Sequence, residues 1–321
     1  MSPSAAPSSA ASHRVPTACP MDCPDSCSLD AEVRDGRVVA LHATPAHALT
    51  AGDGAPFFCS KMSRYPERSR GPDRLGVPLR RVGRKGEARF EPVGWDAALD
   101  LVAARLDAVR RVRGGDAILP YHYDGSNGVF AHDAVDGALW RSLGAVETLR
   151  TLCAAPATGA ATEMYGKFPG VAFQDYVEAR TVVLWGCNPS VSNTHLAPHL
   201  LAARRAGAAF VAVDPRRTPF AATADLHLRL RPGSDLAVAL WLIAETERRG
   251  RLAADFLRAH AKNHESLLAR ARPWTAERAA AAADVDVRDL ARFADLYLDR
   301  SPAVIRVGWG MERNRNGDGA M

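Results

Sequence analysis

Apolar positions in this chain follow two different periods, and the change between them divides it. From Trp95 onward, Ala98, Leu99, Val102, Ala103, Leu106 and Val109 recur at helical spacing and predict an amphipathic helix. Further on, Thr181 to Trp185 (TVVLW) and Phe210 to Val213 (FVAV) are short continuous apolar runs, the pattern of strands buried on both faces of a parallel sheet, and Ala303 to Val307 reads as another buried strand. Leu196 to Arg205 reads as helix between the first two, so strand, helix and strand form one crossover unit. A strand around Leu226 to Leu230 and helices over Asp235 to Arg248 and Val287 to Asp299 extend the series. Less regular stretches predict a strand at Ala117 to Pro120, a glycine-bearing loop from Asp124 to Gly128, a helix over Phe130 to Leu143 and a strand at Glu147 to Leu152. Before Trp95 the period is two: Leu29 to Val33, a turn at Asp35-Gly36, and Arg37 to Leu41 make a hairpin. Residues 1–15 are small and polar and read as a disordered leader, 16–75 as a small loop-rich module, and 76–321 as an α/β region of doubly wound type. Gly71 to Pro92 joins the last two as a linker with short extended pieces.

Composition narrows the class. At 321 residues, 47% hydrophobic and 24% charged, the chain has material for about two globular domains. The apolar run Ala237 to Ala244 lies between Asp235 and Glu245 and is far short of the ~20 residues that span a bilayer. Net charge is +5, yet 41 basic residues are interspersed with 36 acidic ones, which argues against a nucleic-acid footprint. The leader lacks the apolar stretch of an export signal, so the sequence predicts a cytoplasmic protein without a membrane span.

Four of the six cysteines, Cys19, Cys23, Cys27 and Cys59, fall near the amino terminus. In a reducing compartment, clustered cysteines read as metal ligands rather than disulfides. Three thiolates on one short loop and a distant fourth suit the four corners of a [4Fe-4S] cubane. Zinc, which favours paired CxxC knuckles, and unliganded thiols are the alternatives. At the strand ends, Trp185-Gly186-Cys187-Asn188-Pro189-Ser190 and Asp214-Pro215-Arg216-Arg217 stand where open parallel sheets bind ligands. Glycine admits a close backbone, a carboxylate suits a ribose diol, and arginines suit a diphosphate. Neither is GxGxxG, so ordinary nicotinamide binding has little support. His195 and His199, one helical turn apart, read as a polar helix face.

The run TACPMDCPDSCSLDAEVRDGRVVAL followed by CSKM resembles the iron–sulfur module of the dimethyl sulfoxide reductase family of molybdopterin oxidoreductases. WGCNPS, VDPRR and RPGSD occur in the family's order. The resemblance implies formate dehydrogenase/dimethyl sulfoxide reductase-like domains that hold molybdenum in bis(molybdopterin guanine dinucleotide). It implies a [4Fe-4S] cluster on Cys19, Cys23, Cys27 and Cys59, with Lys61 between cluster and pterin. It further implies cofactor contacts from Gly186, Asn188, Asp214, Arg216, Gly233 and Asp235, later ones from Trp309 and Arg313, and a looser one from Asn127. Cys153, in RTLCAAPATGAA, matches the position of the family's molybdenum ligand, and the Gly/Ala-rich stretch after it resembles the loop that carries that ligand. Ala154 stands where formate dehydrogenases place a histidine, which disfavours formate oxidation.

What the resemblance implies about activity is two-electron or oxygen-atom transfer on a small substrate, of the nitrate, thiosulfate or polysulfide reductase kind. The electron carrier would be a ferredoxin, a flavoprotein or an NAD(P)H-linked subunit. A non-catalytic electron-transfer or scaffold subunit that keeps the fold and cluster is the alternative. Family catalytic subunits are about twice as long, so the sequence predicts an amino-terminal portion, or a split subunit completed by a carboxyl-terminal half.

Overall fold

A computed structural model describes residues 11–23, 25–45, 56–122, 136–149 and 154–321. The chain divides into two compact units, 1–149 and 150–321. The predictions at Asn127 and Cys153, the loop at Asp124 to Gly128 and the first residues of the helix expected from Phe130 lie outside the described residues.

In the first unit, β1 (His13–Ala18), β2 (Ser28–Arg34) and β3 (Arg37–Ala43) form an antiparallel sheet in sequence order. The predicted hairpin is β2 and β3, with Asp35 and Gly36 both at positive φ (50° and 70°) as its tight turn requires. The leader expected over 1–15 overlaps β1, which begins at His13 and pairs with Val33 of β2; residues 1–10 lie outside the described residues. Short helices α1 (Ser60–Ser63) and α2 (Tyr65–Arg68) follow Cys59. The stretch read as a linker holds a second hairpin, β4 (Leu79–Arg81) with β5 (Phe90–Pro92). Helix α3 (Trp95–Arg113) forms as the periodicity predicts, yet none of its residues is buried.

Of the two outer strands expected, neither forms over its described residues. Ile118 to Pro120 and Val146 to Thr148 lie side by side, joined by Val146 N to Ile118 O (3.2 Å) and Thr148 Oγ1 to Pro120 O (2.6 Å). Pro120 has no N–H to extend a ladder, and Leu119 and Leu149 are exposed, so burial does not enforce one. Helix α4 (Asp136–Leu143) falls within the span expected for the helix between them.

The second unit is built on a four-stranded parallel sheet of β6 (Thr181–Trp185), β7 (Ala209–Val213), β8 (Leu226–Leu228) and β9 (Ala303–Val307), ordered β8-β7-β6-β9. β6 and β7 are buried along their whole length, as the sequence predicts, whereas β9, expected as another buried strand, is only half-buried because it forms the edge of the sheet. Val183, Trp185, Val211, Val213 and Leu228 pack against α8 (Asp235–Arg248) and α12 (Val287–Leu298) through Val238, Trp241, Leu242, Leu290 and Phe293. Val182, Leu184 and Phe210 face α6 (Leu196–Arg205) and the 3-10 turn Phe173–Glu178. Three helices that the sequence reading did not single out, α9 (Ala254–His260), α10 (His264–Ala271) and α11 (Ala276–Ala283), lie between α8 and α12 in the chain. His195 and His199 are both buried rather than on a solvated face, and His199 packs its ring against Phe173 at 5.9 Å.

Candidate functional site

Two groups of functional side chains stand out, one in each unit. In the first, Cys19 follows β1, Cys27 precedes β2, and Cys19 N donates to Cys27 O (2.8 Å), closing the loop between them. Cys23 O accepts from Ser26 N (3.2 Å), with Ser26 at φ 43°. Cys59 caps α1 with extended backbone (φ −68°, ψ 154°) and accepts from Met62 N (3.0 Å). Cys19 and Cys27 are buried with Leu29 and Met62, and Cys59 packs at the margin of the same cluster. Burial pushes the Cys19 thiol up, a backbone bond at Met21 opposes this, and Cys27, Cys59 and Cys23 add to the rise. One thiol thus feels three others, a donor set that fits a four-iron cluster and offers each iron one outer ligand. Lys61 is exposed, two residues beyond Cys59 on α1.

In the second unit all four strands deliver their carboxyl-end loops to one edge of the sheet. In chain order the sheet reads third, second, first, fourth, so the order reverses between β6 and β9, where doubly wound sheets open a ligand crevice. The loops flanking that point are tightly locked. Gly186 N donates to Val213 O (2.8 Å), Gly308 N to Trp185 O (2.8 Å) and Gly310 N to Gly186 O (3.2 Å). Gly186 has φ 60°, and a Cβ on Gly308 would sit 2.3 Å from Gly186 O, so only glycine allows the 186–190 and 308–314 segments to cross. Asn188 turns the loop by accepting Ser190 N on its Oδ1 (3.3 Å). Asp214 takes Arg216 N on its Oδ1 (2.8 Å), which leaves Arg216 and Arg217 exposed at the end of β7.

The loop after β8 joins them. Gly233 has φ 87° with Asn314 close by, and Asn316 Nδ2 donates to Gly233 O (3.4 Å). Asp235 is buried at the start of α8 and accepts the Trp185 indole N–H (2.8 Å). Burial raises its carboxyl while that bond opposes the rise. Trp309 is 40% exposed and leans on Phe168 at 5.8 Å, and Arg313 is exposed. The structure therefore brings Gly186, Gly233, Asp235 and the 308–316 segment together and sets Asn188, Asp214 and Arg216 on the same edge. The close-approach glycines and the exposed arginines beyond β7 suit a diphosphate-bearing ligand.

Three side chains matter here that the motif reading passed over or treated as ordinary. Burial pushes the Cys187 thiol up to about 12 and Arg306 opposes this, so Cys187 stays protonated and donates to Arg306 O (3.3 Å). Arg306 itself bonds Val307 O (3.0 Å) and Asn193 Oδ1 (3.1 Å). A charge inside the strand sequence Ala303 to Val307 is the signal that could have found it. Glu312 is 4% exposed, and its Oε2 accepts Ala157 N (2.8 Å) in the first turn of α5 (Ala155–Tyr165). The Gly/Ala-rich stretch after Cys153, expected as a loop, is this helix: its alanines favour helix and Gly166 ends it at φ 73°.

A group of four amino-terminal cysteines and a doubly wound sheet with a glycine-locked switch point define a class, that of iron–sulfur proteins with a cofactor-binding α/β unit. The chain belongs to the molybdopterin oxidoreductase family: that family's profile matches residues 74–321, and the profile of its Fe4S4 domain matches residues 12–61. Among curated relatives, the probable oxidoreductase YoaE of Bacillus subtilis is 29% identical over 91% of this chain and 42% of its own. The thiosulfate reductase molybdopterin-containing subunit PhsA of Salmonella typhimurium is 26% identical over 81% of this chain and 33% of its own. The solved structure of acetylene hydratase from Pelobacter acetylenicus superposes with a TM-score of 0.73 at 24% identity, covering 95% of this chain and 41% of that one, a likeness of fold. The chain thus spans about two fifths of the length of the first of these relatives. No helix among the described residues is long and apolar enough to cross a membrane.

Proposed function

We propose that the complete protein is a molybdenum-dependent oxidoreductase that binds bis(molybdopterin guanine dinucleotide) and a [4Fe-4S] cluster and acts on a small substrate of the nitrate, thiosulfate or polysulfide type. The observation that carries this reading is the convergence of four strand-end loops at the switch point of a sheet in a chain that also bears the cysteine cage. When bound, the molybdenum cofactor supplies two-electron and oxygen-atom chemistry, and the protein supplies ligation, orientation and electrostatics.

Each residue then has a task. Cys19, Cys23, Cys27 and Cys59 hold the cluster. Lys61, exposed just beyond Cys59, bridges cluster and pterin. Gly186 and Gly233 admit the dinucleotide close to the backbone. Asn188 and Asp214 offer polar contacts, Asp214 to a ribose diol, and Arg216 neutralises a diphosphate. Asp235 and Trp309 line the cleft and Arg313 reaches toward the cofactor, with Asn127 near a pterin. Cys153 ligates molybdenum, a soft thiolate suited to a metal already held by dithiolenes. A soluble carrier in the cytoplasm would supply the electrons that such a reduction consumes, and a carboxyl-terminal half would close the site.

Metal and nucleotide analysis of the full-length protein from a cofactor-competent host should give iron, molybdenum and guanine nucleotide together. Iron without molybdenum would instead favour a scaffold subunit. Cys153→Ala should abolish dye-linked turnover while leaving the iron content unchanged; an unaltered rate would refute its role as ligand.

A further inference from the structure

Glu312 is a buried acid that none of the roles above uses. One carboxylate oxygen accepts Ala157 N at 2.8 Å, and the other, Oε1, is buried with no partner among the described residues. Helix α5 has a weak start of its own. Its N-cap is Ala154, which provides no side-chain acceptor, Pro156 occupies the first turn, and no acidic residue lies there. The free N–H groups and positive end of a helix need an acceptor, and here a residue 155 positions away supplies it.

The segment that carries Glu312 is fixed on both sides. Upstream, Gly308 and Gly310 press on Gly186. Downstream, a Cβ on Gly317 would lie 2.4 Å from Glu312 Cα, so those two backbones are in direct contact. A carboxylate on a backbone held this way has little freedom in where it presents its oxygens. The strap from 308 to 317 thereby ties the loop after β6 to the first turn of α5.

We propose that Glu312 is a positioning residue for the metal site: it fixes the first turn of α5, which begins two residues after Cys153 in the sequence, relative to the Gly186 loop. This rests on the functional reading above, in which Cys153 ligates molybdenum. Glu312→Gln keeps an oxygen acceptor and the side-chain length. Glu312→Ala removes both, and Glu312→Asp, one methylene shorter, withdraws the acceptor if the alanine variant fails to fold.

The first measurement needs no cofactor. Amide hydrogen exchange over residues 155–158 should quicken by about tenfold or more in Glu312→Ala or Glu312→Asp, the size expected for loss of a charge-assisted bond, and stay near wild type in Glu312→Gln. The second uses holoenzyme. The Mo(V) electron paramagnetic resonance signal of the Ala or Asp variant should shift or split and kcat should fall more than KM changes, with the Gln variant restoring both. Unchanged exchange, or quickened exchange with an unaltered Mo(V) signal and kcat, would overturn the proposal. Absence of molybdenum from the wild-type holoprotein would overturn the functional reading instead, a failure that metal analysis identifies independently of the exchange result.

Discussion

The cysteine module and the sheet unit reach a functional site by opposite means. In the module the buried apolar residues around the cysteines are few, Leu29 and Met62 beside Cys19 and Cys27, so under the proposed function its order rests on the cluster the thiols would hold. In the sheet unit, both faces of β6 and β7 are covered, and the ligand edge is shaped by backbone contacts among glycines before any ligand arrives. In the proposed reading one site is organised by its metal, while the other is prepared by its core. The same chain therefore has two kinds of fragility.

The strongest way to test this contrast is Cys59→Ala. Loss of one cage ligand should remove most of the cluster's visible absorbance and open residues 11–68 to proteolysis, because cluster binding and local folding are coupled. The melting of the sheet unit should hardly move; a fall of similar size in both units would mean that they do not differ in this way. Next comes Phe293→Ala, which empties a fully buried position beside Trp185 and should cost the sheet unit ~3–5 kcal/mol by chemical denaturation. The cluster absorbance of the folded variant should be retained.

The smallest effect concerns charge. Glu245 accepts from Arg248 (Nε, 2.6 Å) and Arg249 (Nε, 2.6 Å), and Arg249 also reaches Asp295 on α12 (2.7 Å). These bonds, that to Arg248 foremost, hold the Glu245 carboxyl below its ordinary range. Its stabilisation is therefore full above the unfolded-state value near ~4.3 and is lost as pH falls through the lower folded value. Glu245→Gln should cost ~1 kcal/mol at pH 7 and progressively less below pH ~4 in denaturant titrations of the sheet unit. A cost independent of pH would assign the effect to packing.

The sheet was legible because its central strands are continuous apolar runs between turn residues: β6 and β7 fall where TVVLW and FVAV predict, and β9 where AVIRV predicts despite its charge. The helical insertion between α8 and α12 was harder to read. Helix α11 is almost all alanine, so it buries a face without the contrast of large apolar and polar residues that reveals one. Helix α3 fails in the other direction, since its stripe has the right period while Leu99 and Val102 remain exposed. At the site, glycines and strand-end polar residues were legible as types, and their neighbours were not. Trp185 and Asp235 are 50 residues apart, and Glu312 and Ala157 are 155 apart, distances over which local pattern carries no information.

The sheet order has a consequence in time. β9 pairs with β6 in the register Thr181 to Ala303, across a stretch that includes most of the unit's helices. Contacts of such separation close late in folding and pay for a long loop before they are rewarded. During synthesis the loop after β6 can form with β7, yet the strap that locks it does not exist until the ribosome has passed Gly317. The cleft is thus completed only as the last part of this unit emerges, and cofactor loading is expected to wait for the 308–317 strap rather than to begin once β6 and β7 have paired.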